Sequence, residues 1–295
     1  MVRQNKYQIK NMLDSSPYLY VGYYCNNNCI FCSEADEYLK TLKQKSLEEI
    51  EKEAQLIRRH YDFINIMGRE PTIRPDFLEI LKLVEKLKFH QVGFTTNGRL
   101  LSQPSFAKAV LNTGVNQIGI SLSGATPAVH DFQVKVVGAY GQTIAGIKNV
   151  LKYKKPDVSI LVNLPVNKLN YKSLGASLKL LTGLGVKEIN ILNIAPLSYR
   201  SSSKKIILPM LKAGAYVFDT IKNGGYLDKK DLKILLVEFP PCSLPVEARQ
   251  YFFPCLEKNN RKVRIPLCAK CPYKQSCDGI LDSYLQLYGN KEFKL

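Results

Sequence analysis

Nowhere in the 295 residues is there an unbroken run of eighteen apolar side chains, so no segment is expected to span a membrane. The first ten residues, MVRQNKYQIK, are polar and basic with no apolar stretch. They do not read as a secretory signal, and the cytoplasm is the expected location. No cysteine falls between residues 33 and 241. All eight are confined to two groups: Cys25, Cys29 and Cys32 near the start, and Cys242, Cys255, Cys268, Cys271 and Cys277 near the end. Disulfides are not the ordinary use of cysteine in a cytosolic chain, so clustered thiols point to metal binding or catalysis, at two separate sites. Acids are also scarce, with 25 Asp plus Glu against 42 Lys plus Arg and a formal net charge of +17. Such an excess suits an anionic partner, although lysines on solvated helix faces give the same count. Hydrophobic residues, by contrast, make up 45% of the chain. That is enough to bury a core, and it excludes a disordered chain.

Strand-like and helix-like segments alternate over the first two hundred residues. The β-rich stretch Tyr18 to Tyr24 runs into the first cysteine group. Ser46 and Glu49 form a capping-box signature ahead of an amphipathic helix bearing Leu47, Ile50, Ala54, Ile57 and Tyr61 on one face. Further strands are expected at 63–67, 92–95, 117–122, 158–164 and 189–194, with helices from Pro75 and near 105–111, 143–154 and 171–184. Six strands alternating with helices predict an α/β fold with a parallel sheet and right-handed crossovers. Because six units fall short of eight, the expected form is a partial (β/α)6 TIM-like barrel, with ligands at the carboxyl ends of its strands. The domain division expected is an N-terminal extension (1–17), the partial barrel (18–200), a connecting helix and strand (201–240) and a small irregular cysteine-bearing domain (241–295). A segment of that last kind, unable to build its own core, ordinarily needs a metal staple.

Cys25-Asn-Asn-Asn-Cys29-Ile-Phe-Cys32 follows the first expected strand. A cubane iron–sulfur cluster takes four thiolates; three leave one iron with an open coordination position, as a catalytic metal requires. A zinc site lacking a ligand is the alternative, but this loop offers neither a His nor a fourth Cys. The C-x3-C-x2-C spacing, with an aromatic residue before the last Cys, resembles the radical S-adenosylmethionine (radical SAM) superfamily. So do Met67-Gly68-Arg69-Glu70-Pro71-Thr72 ending the second strand, Thr96-Asn97-Gly98 ending the third, and Ser121-Leu122-Ser123-Gly124 with His130-Asp131 ending the fourth. The second position is that family's Gly-Gly-Glu-Pro motif with Arg69 in place of the second Gly. The resemblance covers roughly residues 18 to 196. It implies a [4Fe-4S] cluster on Cys25, Cys29 and Cys32, and S-adenosylmethionine chelated to the open iron. It further implies a one-electron donor such as flavodoxin or ferredoxin, and a 5′-deoxyadenosyl radical that abstracts a hydrogen atom from substrate. By the same resemblance, Gly68 and Glu70 hold the methionine ammonium. Asn97, Ser121, Ser123 and Asn163, taken to end the fifth strand, serve ribose hydroxyls or the methionine carboxylate. Leu192 to Ile194 on the sixth strand flank adenine. Ordinary turn or capping duty competes with these roles, and for His130 a helix-start or core hydrogen bond is the better expectation.

Cys268-x2-Cys271-x5-Cys277 followed by Gly279 resembles the SPASM and twitch extensions of that superfamily, which carry auxiliary clusters. A full SPASM pattern would place a Cys where Leu281 stands, so a single second [4Fe-4S] cluster is expected. Its preferred ligands are Cys242, Cys268, Cys271 and Cys277, with the choice between Cys242 and Cys255 left open by the sequence; a four-cysteine zinc site also fits the spacing. Cys255 is then spare and could donate a hydrogen atom to a substrate radical, as in radical epimerases. Between Lys258 and Lys274 lie six basic residues and no acid. This stripe could guide an anionic peptide or small metabolite, or offset the charge of a thiolate cluster. About sixteen residues precede the first strand, too few for a peptide-recognition domain. The reading is therefore a radical SAM enzyme carrying out epimerisation, dehydrogenation or cross-link formation on an anionic peptide or small metabolite. RNA modification is less favoured because no RNA-binding module is visible. A zinc-stapled nucleic-acid-binding protein is remote, since it leaves the strand-end motifs unexplained.

Overall fold

The computed structural model describes residues 17–32, 42–194, 205–253 and 261–294. Seven strands form one sheet in chain order: β1 (Tyr18–Tyr20), β2 (Phe63–Met67), β3 (Gln91–Thr96), β4 (Gln117–Ser121), β5 (Ser159–Val166), β6 (Glu188–Asn193) and β7 (Lys233–Val237). The pairs β1–β2, β2–β3, β3–β4 and β6–β7 are parallel. Helices α1 (Leu47–His60), α2 (Phe77–Lys86), α3 (Pro104–Leu111), α4 (Pro127–Val134), α5 (Ala139–Tyr153), α6 (Leu174–Gly183) and α7 (Met210–Asn223) supply the crossovers. The sheet ends on β1 and β7 without closing, which makes the architecture the partial TIM-like α/β barrel that the alternation predicts.

The seventh strand is the connecting strand expected within 201–240, which joins the sheet as a further member. Lys233–Val237 falls in the expected connector, yet Ile234 and Leu236 are buried and it pairs in register with β6. Local chemistry sets the other boundaries. Ser46 and Glu49 close the capping box of α1, with Glu49 N–H donating to Ser46 Oγ at 3.2 Å and Ser46 N–H to Glu49 Oε2 at 2.7 Å. The short α4, absent from the sequence reading, is signalled by Thr126, whose hydroxyl caps Val129 N–H, and by Pro127 at its first position. It ends at Lys135 in the left-handed region, φ 58°. Asp131 then accepts from Gly138 N–H and Tyr140 N–H, both at 2.7 Å, and α5 starts there, ahead of the expected Thr143.

The described residues fall into two compact units: one from 17–27, 42–121 and 141–161, the other from 28–32, 122–140, 162–194, 205–253 and 261–294. The second includes a short antiparallel pair, β8 (Lys262–Val263) with β9 (Ile280–Leu281), followed by α8 (Asp282–Tyr288). The expectation of a segment without a core is corrected here. Ile280, Leu281, Tyr284 and Phe293 pack with Ile194, Ile206, Ile207 and Met210. Fully buried Tyr284 accepts from Met210 N–H at 2.7 Å and donates to the Glu292 carboxylate. Among the described residues no helix is long and apolar enough to cross a membrane.

Candidate functional site

In the first unit, backbone pairing continues past the ends of β1 and β2. Val21 N–H donates to Met67 O at 2.9 Å, Arg69 N–H to Gly22 O at 3.2 Å and Glu70 N–H to Tyr24 O at 2.9 Å, which carries the ordered chain up to Cys25. Gly68 is required at this approach: its φ is +142°, and a Cβ there would lie 2.7 Å from Gly22 O. Buried Arg74 clamps the same corner, donating to Val21 O, to Gln44 at 3.0 Å and to both carboxylate oxygens of Asp76. The Cys25 sulfur accepts Asn27 N–H at 3.3 Å.

Glu70 is buried, 2% exposed, at the turn after β2. Its Oε1 accepts from Thr72 N–H (3.2 Å), Thr72 Oγ1 (2.6 Å) and Thr96 Oγ1 (2.6 Å), and its Oε2 from Asn97 N–H (2.7 Å). Oε1 is saturated, whereas Oε2 keeps one acceptor direction. Burial pushes this carboxyl above the usual range, against the pull of those donors. Asn97 Nδ2 donates to Asn26 Oδ1 at 2.6 Å, and its Oδ1 accepts Arg99 N–H at 3.0 Å. Arg99 in turn donates to Asn26 O, to Asn27 Oδ1 at 3.0 Å and to Gln142 at 2.6 Å. The third strand's end therefore holds the Cys25 side of the loop. Arg99, Asn26 and Asn27 were not singled out from the sequence, because an Arg one residue past Asn-Gly carries no pattern. Ser121, half-buried, ends β4. Arg69 has its Nε buried without a hydrogen-bond partner among the described residues.

In the second unit, Cys29 and Cys32 lie on a turn closed by Cys32 N–H to Cys29 O at 3.3 Å. Asn28 N–H and Ile30 N–H donate to Val134 O and Gln133 O, both at 2.9 Å, which satisfies carbonyls orphaned at the end of α4. Buried Gln133 is fixed by Asn167, which donates to its Oε1 at 2.5 Å, and by its own donation to Ser123 O at 2.7 Å. Ser123 N–H donates to His130 Nδ1 at 3.1 Å, so both are tied into this core network, the role expected for His130. Asn163 stands inside β5, because the strand runs on through Leu164, Pro165 and Val166; its Oδ1 accepts from Asn190 at 3.1 Å. That corrects its expected place at the strand end. Leu192 is half-buried on β6, whereas Ile194 belongs to the apolar core around Tyr284. Neighbouring Asn193, 4% exposed, keeps Oδ1 without a donor among the described residues.

Cys242, Cys268, Cys271 and Cys277 line one cavity, with Arg264 and Lys274 at its wall. Burial, then the proximity of Cys277, Cys268 and Cys271, pushes the Cys242 thiol up to about 12. Four facing thiols cannot ionise together unless a cation is bound among them, so the donor set fits a thiolate-ligated metal centre. Among the described residues no group of three or more His, Cys, Asp or Glu is arranged to hold a single metal ion. The described cysteines at both ends are half-buried, and none of them is in a disulfide. Cys255 and Lys258 lie outside the described residues.

A profile described as the Radical SAM superfamily matches residues 19–181, more than half of the chain. A probable GTP 3′,8-cyclase of Saccharolobus solfataricus is 31% identical over 179 residues, covering 58% of this chain and 54% of that protein. The one from Thermococcus kodakarensis is 29% identical over 133 residues, 45% and 42% of the two chains. The chain thus spans about half the length of these curated relatives. Among solved structures, anSMEcpe with bound AdoMet aligns over 94% of this chain and 95% of that one, with a TM-score of 0.63 at 17% identity. Streptococcus suis SuiB bound to precursor peptide SuiA aligns over 78% and 51%, with a TM-score of 0.62 at 19% identity. These likenesses show the fold.

Proposed function

We propose the following reading for this chain, which belongs to the radical SAM superfamily: it is an enzyme that uses S-adenosylmethionine and a [4Fe-4S] cluster to remove a hydrogen atom from an anionic small metabolite or peptide. When bound, the cluster and S-adenosylmethionine supply one-electron cleavage and the hydrogen-abstracting radical. The observation that carries the reading is the C-x3-C-x2-C set of cysteines after β1, in a chain matching that superfamily. Cys25, Cys29 and Cys32 hold the cluster. Gly68 allows the close backbone approach, and Glu70, through the remaining acceptor direction of Oε2, attracts the methionine ammonium. Asn97, Ser121, Ser123, Asn163 and Leu192 complete the S-adenosylmethionine surroundings, while Ile194 acts from the core behind them. Residues 18–200 together with β7 form the catalytic barrel and 241–295 a twitch-like domain, joined by the rest of 201–240. Cys242, Cys268, Cys271 and Cys277 hold an auxiliary cluster there, and Cys255 is spare for hydrogen donation in an epimerase.

A purine nucleotide is the second reading for the substrate. The relatives' names point to GTP, and the exposed bases Arg261, Arg264, Lys270 and Lys274 suit a polyphosphate. The test is anaerobic reconstitution followed by assay for 5′-deoxyadenosine with dithionite and S-adenosylmethionine. Formation that disappears in Cys29→Ala supports the reading; none from iron-loaded protein overturns it. Added deuterated GTP that raises the yield and passes deuterium into 5′-deoxyadenosine separates the second reading from the first.

A further inference from the structure

The stripe between Lys258 and Lys274 is not uniform. Arg261, Arg264, Lys270 and Lys274 are exposed, whereas the Lys262 side chain is only 7% exposed. Its ammonium lies 3.1 Å from Glu238 and 3.1 Å from Asp278. Asp278 directly follows Cys277, and its Oδ2 is buried without a hydrogen-bond partner among the described residues. Glu238, at the end of β7, sits at φ 62°, a left-handed conformation that non-glycine residues adopt at a strain. A buried ion pair is weak evidence of added stability, because desolvation cancels most of the attraction. This one gathers a buried cation, a strained residue and an under-satisfied carboxylate around Asp278, the residue that directly follows the cavity-lining Cys277.

We propose that Lys262 sets the reduction potential of the metal centre held by Cys242, Cys268, Cys271 and Cys277, making its reduced state accessible. The proposal rests on the auxiliary-cluster reading above. Its couple is one electron added to a four-thiolate cluster, with no bond made or broken; in the test dithionite is the donor. Added negative charge is stabilised by a fixed cation nearby, and more strongly in a buried setting than in water. The exposed bases of the stripe are screened by solvent and salt, so their effect is smaller.

The experiment uses the full chain with Cys25, Cys29 and Cys32 all replaced by Ala, so that only the C-terminal centre titrates. Iron and zinc are counted, and dithionite titration is followed by electron paramagnetic resonance. Glu238→Gln removes one negative charge and should raise the midpoint. Adding Lys262→Met to Glu238→Gln avoids leaving two facing carboxylates unpaired, and should lower the midpoint from the Glu238→Gln value. At fixed potential the reduced-to-oxidised ratio should fall about tenfold, equivalent to about 59 mV for one electron. Lys262→Arg in the same background should hold the midpoint. Equal midpoints with and without Lys262, at equal iron content, overturn the proposal. If the Lys262→Met chain loses its iron, Glu238→Gln decides: a rise supports the proposal and no change overturns it. Zinc, or no metal, in the parent triple-Ala chain refutes the auxiliary-cluster reading itself, and the proposal with it.

Discussion

In the segment from Cys25 to Cys32, Asn97 and Arg99 tie Asn26 and Asn27, and the last carbonyls of α4 accept from Asn28 and Ile30. Cys242, Cys268, Cys271 and Cys277 instead line a cavity together with Ile280 of the core around Tyr284, and Asp278, which pairs with buried Lys262, directly follows Cys277. One group has three thiols on a loop without a fourth, the other a complete set of four. An incomplete set leaves a metal position free for a ligand, whereas a complete set closes the metal off. Under the proposed function, the first group carries the chemistry and the second stores an electron or staples the structure.

The largest effect that would break this comparison comes from removing single thiols. Cys29→Ala should abolish 5′-deoxyadenosine formation, by about a thousandfold or more, while metal at the C-terminal group stays. Cys277→Ala should do the reverse, losing C-terminal metal and lowering the melting temperature while S-adenosylmethionine is still cleaved. Equal loss of both activities and both metals in either variant would show that the two groups are one site. Metal analysis beside product chromatography reads both.

Glu70→Gln is next in size. An amide cannot accept from all four donors, and a buried donor left unpaired costs about 1–3 kcal/mol, so chemical denaturation should show a loss in that range. The pH dependence has a definite sign. Burial raises the Glu70 carboxyl in the folded chain, so the folded state binds the extra proton. Its stabilising contribution is complete below the unfolded carboxyl pKa and is lost as pH rises through the folded one. That downward slope should be present in the wild type and missing from Glu70→Gln; parallel slopes would contradict the assignment.

A smaller effect tests how the loop is held. Arg99→Ala removes the ties to Asn26 and Asn27 and should speed iron loss to a chelator about tenfold, with the melting temperature nearly unchanged. Smallest is the surface term. Arg264→Ser with Lys274→Ser should raise KM for an anionic substrate severalfold at low salt, and the difference should vanish as salt screens it.

Much of this was legible in the sequence. The alternation of apolar strands and amphipathic helices gave the parallel open barrel, and the Ser46–Glu49 box placed α1. The cysteine spacing separated the two groups because thiols are rare and their spacing is local. What escaped depends on long-range pairing. β7 reads as a strand of the connector, outside the sheet, until β6 offers it a partner, and β5 continues through Pro165, where the pattern suggests an end. Arg99, Gln133 and Lys262 are ordinary polar residues in sequence, and only burial and distant partners give them work. Glu70 was legible as a motif, but the saturation of Oε1 by Thr72 and Thr96 was not, since Thr96 lies on another strand.

The most direct test of two unlike metal centres in one chain is the count of iron, sulfide and zinc after anaerobic reconstitution. The account predicts about eight irons with matching sulfide, two four-iron clusters per chain. About four irons with one zinc would contradict the redox role of the C-terminal group, and zinc with no iron would contradict the radical chemistry altogether.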